Sequence, residues 1–216
     1  PDKSLNARFS EAYQAEGLKQ KNKGKNPDDV KKAREYMCRN YYDVRMFGAV
    51  MSTGEDPCGI VRGPVQINFA RSLSPVTIQD VTITRQARTT DDRKESGETE
   101  MGRKSVIPYG LYRAEGYVSA ALANKVSDIS DEDLELLWVA IINMFENDHS
   151  AARGKMCMRK LYIFKHDSIL GNCPSHLLFD KISLTLKEEK PPRAFTDYQI
   201  SLDTSMPEGV ELIEKL

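Results

Sequence analysis

Three histidines and four cysteines are the side chains that could hold a metal or supply a nucleophile. His149, His166 and His176 do not fall into an HExxH pattern. Cys38, Cys58, Cys157 and Cys173 include no CxxC pair, and a zinc site wants paired thiolates or Cys/His at ligand spacing. No metal and no cofactor are therefore expected, and reduced thiols in a cytoplasmic protein are the expectation for the cysteines. His149 lies between Asp148 and Ser150 and could be drawn as a proton shuttle. An exposed histidine at a helix end is the alternative, since no nucleophile stands with it. The glycines form neither GxGxxG nor a phosphate-binding loop, and the aromatic signature of a standard RNA-recognition domain is absent.

Charge is the more informative chemistry. Residues 149–165 hold Arg153, Lys155, Arg159, Lys160 and Lys165 and no acid, a surplus of five. Residues 1–34 carry nine basic and five acidic side chains, and residues 180–216 carry five basic and eight acidic. The totals, 31 basic against 32 acidic, hide this division behind a net charge of -1. Arg and Lys neutralise phosphates, and the backbone N–H groups around Ser150–Gly154 could bind one as well. A solvated basic face without a ligand is the alternative. A second basic group is Arg85, Arg88, Arg93, Lys94, Arg103 and Lys104, interspersed with acids. Beside it Met101 could wedge between stacked bases, or fill a gap in the core.

These groups need elements to position them. The first 25 residues read as a loose or weakly helical surface segment ending in a lysine-rich run. Asn26-Pro27-Asp28-Asp29 has the grammar of a helix start, and Val30, Ala33, Met37 and Tyr41 continue at helical spacing to about Asn40. Residues 43–51 read as an extended or turning apolar stretch. Residues 60–75 alternate as a strand, with Val65, Ile67 and Phe69 set against Gln66 and Asn68. A second strand is expected at 76–85. Residues 86–104 hold no large apolar side chain but Met101. Strand-like sequence flanks them, so 80–108 reads as a projecting β-hairpin with a polar tip. Residues 106–120 read as a further strand. Ser130 and Asp133 have capping-box spacing ahead of a helix to about Asn147, with Leu134, Leu137, Trp138, Ile141, Met144 and Phe145 as its buried stripe. Short strands follow at 161–164, 182–186 and 198–202.

Such a pattern is α+β with antiparallel strands, ferredoxin-like in class. A chain of 216 residues can bury a sizeable core. No apolar run approaches the ~20 residues that span a bilayer, and no leader-like segment follows Pro1-Asp2-Lys3. A soluble chain, without a membrane partner, is expected.

Several blocks in order resemble one family. They are residues 42–51 (Tyr-Asp-Val-Arg-Met-Phe-Gly-Ala-Val-Met), 61–66 (Val-Arg-Gly-Pro-Val-Gln), 69–72 (Phe-Ala-Arg-Ser), 83–85 (Ile-Thr-Arg), 101–104 (Met-Gly-Arg-Lys), 106–112 (Val-Ile-Pro-Tyr-Gly-Leu-Tyr) and 144–154. The family is the seventh CRISPR-associated protein family, of the RAMP superfamily, in its type I-C form. The resemblance runs from about residue 26 to Pro207-Glu208-Gly209-Val210. It implies a backbone subunit of a Cascade surveillance complex, not an enzyme. The expected fold is a single modified RNA-recognition-like palm over 1–216, with 80–108 as its thumb insertion. Copies polymerise in a helical filament along CRISPR RNA, each thumb folding over the neighbour's RNA. The spacer is left free to pair with target DNA in an R-loop, in antiviral DNA interference. The subunits binding the guide's 5′ handle and the large and small subunits are the further partners. The resemblance places Arg45, Gln66, Arg71 and the Arg153–Lys160 group along the RNA groove. The hairpin adds Arg85, Arg88, Met101, Arg103 and Lys104. Family members begin with a further strand before the region matching residue 1, and that strand is expected to leave an open palm edge here. An RNA-cleaving relative using Asp91 or Asp92, and a pure protein-docking module, are the rival readings.

Overall fold

The computed structural model describes residues 3–18, 26–85, 100–151 and 153–216. Helix α1 (Leu5–Ala15) starts at Ser4, whose hydroxyl accepts the Ala7 N–H at 3.2 Å. Phe9, Ala12 and Tyr13 recur at helical spacing and are buried. The expected loose surface segment is therefore a packed helix over this stretch. Three apolar residues on one stripe decide the matter, where the polar average of the segment pointed away from it. Helix α2 (Pro27–Asn40) is capped by Asn26, with Asp28 and Asp29 in its first turn. Its Ala33, Met37 and Cys38 meet the α1 stripe in the main core, with Val44, Met51, Cys58 and Val61.

Residues 43–51 are not simply extended. Helix α3 (Tyr42–Phe47) turns once and hands over at Gly48 to strand β1 (Gly48–Met51), which pairs antiparallel with β2 (Gly59–Arg62). Gly48 has φ 78°, and a Cβ there would overlap the main chain at Val61 and Gly63. A Cβ on Gly63 would likewise overlap the main chain of Met46, Phe47 and Gly48. Two backbones cross in contact because both residues lack a side chain.

The expected long strands at 60–75 and 106–120 are broken into shorter pieces, while the one expected at 76–85 is a single strand from Gln79 on. After β2 come β3 (Val65–Ile67), β4 (Arg71–Ser72), β5 (Gln79–Arg85), β6 (Glu100–Val106), β7 (Tyr112–Arg113) and β8 (Gly116–Val118). β3 pairs with β8, β4 with β7 and β5 with β6, all antiparallel. The registers show these pairs to be one ribbon. Ile67 faces Gly116, the Asn68 N–H donates to the Glu115 carbonyl at 2.8 Å, and Arg71 faces Arg113. Phe69 and Ala70 thus stand opposite the single residue Ala114, which is a β-bulge. The Leu73 N–H donates to Leu111, and pairing resumes at Gln79↔Val106, so 74–78 span the same gap as 107–110. Pro75 and Pro108 lie in that gap and bring no N–H to the ladder. The stem of the hairpin expected at 80–108, β5 paired with β6, is the outer part of this ribbon, and its expected polar tip over 86–99 lies outside the described residues.

A short helix α4 (Ala120–Leu122) passes into a π turn over Ala123–Ser127 and leads to α5 (Asp131–Asn143). The capping box at Ser130 and Asp133 is formed in both directions. Helix α5 stops at Asn143, short of the expected Asn147. Of its stripe, Leu137 is buried while Leu134, Trp138 and Ile141 pack half-buried against a second small core with Met46 and Val65. Met144 is 47% exposed, outside the stripe.

The remaining elements are β9 (Tyr162–His166), α6 (Ser175–Phe179), β10 (Ile182–Leu186), β11 (Tyr198–Leu202) and β12 (Val210–Glu214). β10 pairs with β11 and β9 with β12, again antiparallel. Helices and antiparallel pairs mix along the chain, an α+β fold. No helix among the described residues is long and apolar enough to cross a membrane.

Candidate nucleic-acid interface

The outer ribbon presents two different faces. Side chains alternate along a strand and cross-strand partners share a face. Val81, Ile83, Lys104 and Val106 fall on one side, with Gly102 opposite Ile83. Asp80, Thr82, Thr84, Met101, Arg103 and Ser105 fall on the other, where the Ser105 hydroxyl donates to Asp80 at 2.6 Å. Every residue of β5 is exposed, so the ribbon stands away from the body. Met101 is 74% exposed, which removes the core-filling alternative. It shares its face with Arg103, two residues on, an apolar tip beside a cation. Arg103 is exposed, Lys104 half-buried and Arg85 exposed. Arg88, Arg93, Lys94, Asp91 and Asp92 lie outside the described residues.

Arg45 has a partner inside the chain. Its Nε and Nη2 donate to the two oxygens of Asp133 at 3.0 and 2.7 Å, and its guanidinium lies 5.1 Å from the Tyr42 ring centroid. The hydrogen bonds from Arg45 hold the Asp133 carboxyl below its usual range and raise the arginine in turn. The Tyr42 hydroxyl donates to the Asp133 main-chain carbonyl at 2.9 Å. Arg45 and Tyr42 on α3 therefore lock the start of α5, so Arg45 acts on the neighbourhood by positioning.

The basic run is less naked than its sequence. Arg153 pairs with Asp148, Lys160 reaches Glu214 at 2.6 Å, and the Arg159 guanidinium lies 5.2 Å from the Phe195 ring centroid. Lys165 faces Glu211 across the β9–β12 ladder. Lys155 is exposed and has no ion-pair partner among the described residues. The acids come from just before the run and from β12, so a count inside the window could not reveal them. The hydrogen bond to Glu214 raises Lys160 and keeps it charged.

The inner ribbon gathers the rest. Gln66 donates from Nε2 to the Gly63 carbonyl at 3.2 Å, and Arg71 is exposed. Sequence reasoning passed over Arg113. Its Nη1 and Nη2 donate to the carbonyls of Ile182 and Phe179 at 2.8 and 2.7 Å, and its Nε lies 3.0 Å from Glu115. It ties the ribbon to α6 and β10, aided by the edge-on Tyr117–Phe179 pair at 5.7 Å between centroids. Its partners are main-chain carbonyls some 66–69 residues away, which leave no trace in side-chain spacing. The apolar half of the alternating 65–69 segment also departs from simple burial. Val65 is buried, but Ile67 is 53% and Phe69 97% exposed.

This arrangement can bind a polyanion through exposed cations on and beside a free-standing ribbon. Among the described residues no three His, Cys, Asp or Glu side chains gather to hold a metal ion. A search of the curated proteins found no match. A model of the family described as CRISPR-associated protein Cas7 matches residues 3–203. That span includes α1, the ribbon, β9 and the β10–β11 pair, and the chain belongs to the CRISPR-associated Cas7 family.

Proposed function

We propose that this chain is the guide-RNA-binding backbone subunit of a type I-C Cascade complex. Family membership implies an RNA-binding backbone subunit of a type I or III CRISPR effector. The finer reading is supported above all by the ribbon Gln79–Arg85/Glu100–Val106, exposed along β5 and carrying Met101 and Arg103 on one face. An isolated two-stranded ribbon is marginal in water, so a partner that covers it adds most of its stability. In this reading 1–216 is an RNA-recognition-like palm and 80–108 its thumb. The thumb closes over RNA held by the neighbouring copy, with Met101 as wedge and Arg85, Arg88, Arg103 and Lys104 on the sugar-phosphate chain. Arg71, Gln66 and the cations from Arg153 to Lys160 line the groove, and Arg45 holds α5 in place behind it. Phosphate neutralisation supplies affinity, and base pairing supplies sequence choice.

The test is RNA binding against salt. Affinity for single-stranded RNA is expected to fall linearly on a log–log plot, with a slope near -0.7 for each phosphate neutralised, by the ~0.7 rule for single strands. Arg71→Ala and Arg103→Ala should each reduce that slope while weakening all sequences alike. Binding that ignores salt sinks the proposal.

A further inference from the structure

The basic run 149–165 divides by what each cation already holds. Arg153 and Lys160 are paired with acids, and Lys165 faces Glu211. Lys155 and Arg159 are exposed and have no ion-pair partner among the described residues. Arg159 is nevertheless held in place, with its guanidinium carbon 5.2 Å from the Phe195 ring centroid. Contact with a ring attracts a cation without neutralising it, so the charge stays available to an anion. Phe195 is half-buried and opens the short turn Phe195–Asp197, where the Asp197 carboxylate accepts the N–H groups of Arg193 and Ala194 at 2.8 and 3.0 Å. The turn runs straight into Tyr198, which is buried and shares a 2.9 Å hydroxyl contact with Ser74. Ser74 is the first residue of the unpaired gap in the ribbon. From the facing strand of that gap comes Tyr109, whose hydroxyl is raised by burial and by Tyr198 while the Arg159 charge opposes both. Arg159 thus stands at the joint of the ribbon, braced by a ring and matched by no acid of the described chain. A phosphate is the group that fits, since a guanidinium can donate to two of its oxygens at once.

We propose that Phe195 is a positioning residue for RNA binding, holding the Arg159 guanidinium at the joint of the ribbon ready for one phosphate of the RNA strand. This rests on the RNA-binding reading above and adds an uncharged residue that acts through Arg159. A long side chain that is free in solution loses rotamer freedom when it binds, and one already held loses less.

The experiment measures oligo-uridylate binding by the full chain across a salt series, for the two single variants and their double. Arg159→Gln should weaken binding by about 10- to 150-fold, the range for hydrogen bonds to a charged group. It should also make the log–log salt slope shallower by about 0.7, the value of one phosphate. Phe195→Leu should weaken binding by about 2- to 5-fold, as loss of an exposed cation–ring contact does, with the slope unchanged because the charge is still there. Added to Arg159→Gln, Phe195→Leu should cost nothing further. Phe195→Tyr, which keeps the ring, should restore the affinity, and urea melts check that each variant folds. Full affinity in Phe195→Leu, or the same loss with and without Arg159, overturns the positioning role. Full affinity in Arg159→Gln overturns the phosphate contact. Each of these results leaves the RNA-binding reading intact, whereas absence of salt-dependent binding by the unaltered chain overturns both.

Discussion

Asp133 does two things with one carboxylate: it closes the capping box of α5 and accepts both donors of Arg45. Its folded-state pKa is lowered, so its stabilisation is complete above about pH 4, where the unfolded carboxyl is already ionised. That stabilisation is lost as pH falls through the lowered folded value. Asp133→Asn should therefore be less stable at neutral pH and should show a shallower loss below about pH 4 in acid-titrated urea melts. Arg45→Ala should cost about 2 kcal/mol, the scale of hydrogen bonds to charged groups, and equilibrium urea unfolding would read it. The cysteines separate in the same way. Burial pushes the Cys58 thiol up to about 12, and Cys38 is raised by burial too, while Cys157 is exposed. Thiol-reactive dye at neutral pH should label Cys157 in the native chain, and Cys38 and Cys58 only after denaturation.

Elements whose signals are local are legible in the sequence. Asn26-Pro27-Asp28-Asp29 and Ser130-x-x-Asp133 name helix starts, and both helices begin there. The hairpin stem was legible from strand patterns on both sides of a polar stretch. Three things depended on distant partners and could not be read. Helix α1 is packed because α2 covers its stripe. The bulge at Phe69 is defined only against the opposite strand, so simple alternation misjudged which side chains lie inside. The basic run is partly neutralised from Asp148 and from Glu214, 54 residues beyond Lys160. Of the candidate site, residue types were legible and pairing was not. Two element-scale predictions follow from packing. Gly63→Ala, which must part the backbones of α3 and β2, should cost about 3 kcal/mol or more and yield little soluble protein. Joining Gln79 to Val106 through an Asn-Gly turn should move the melting temperature by less than about 2 °C, because β5 buries nothing.

At the scale of the molecule, a chain of net charge -1 carries separate basic and acidic stretches. Copies of such a chain repel little in solution, and in the proposed reading they gather on a shared polyanion. Sedimentation should show single copies without RNA and assemblies growing stepwise with RNA length. The Asn-Gly shortened ribbon should bind RNA but lose the stepwise growth. The ribbon's geometry also has a mechanical meaning. Between the Leu73–Leu111 hydrogen bond and the Gln79–Val106 pair no ladder bond is made among the described residues, and a proline interrupts each strand. The outer arm is thus a lever on a compliant joint. Its seven residues span about 23 Å at strand rise, so a 10° swing about the joint carries the far end about 4 Å. A stack built from such levers can take up uneven spacing between its members, or the curvature of a bent strand, without straining the core of any one of them.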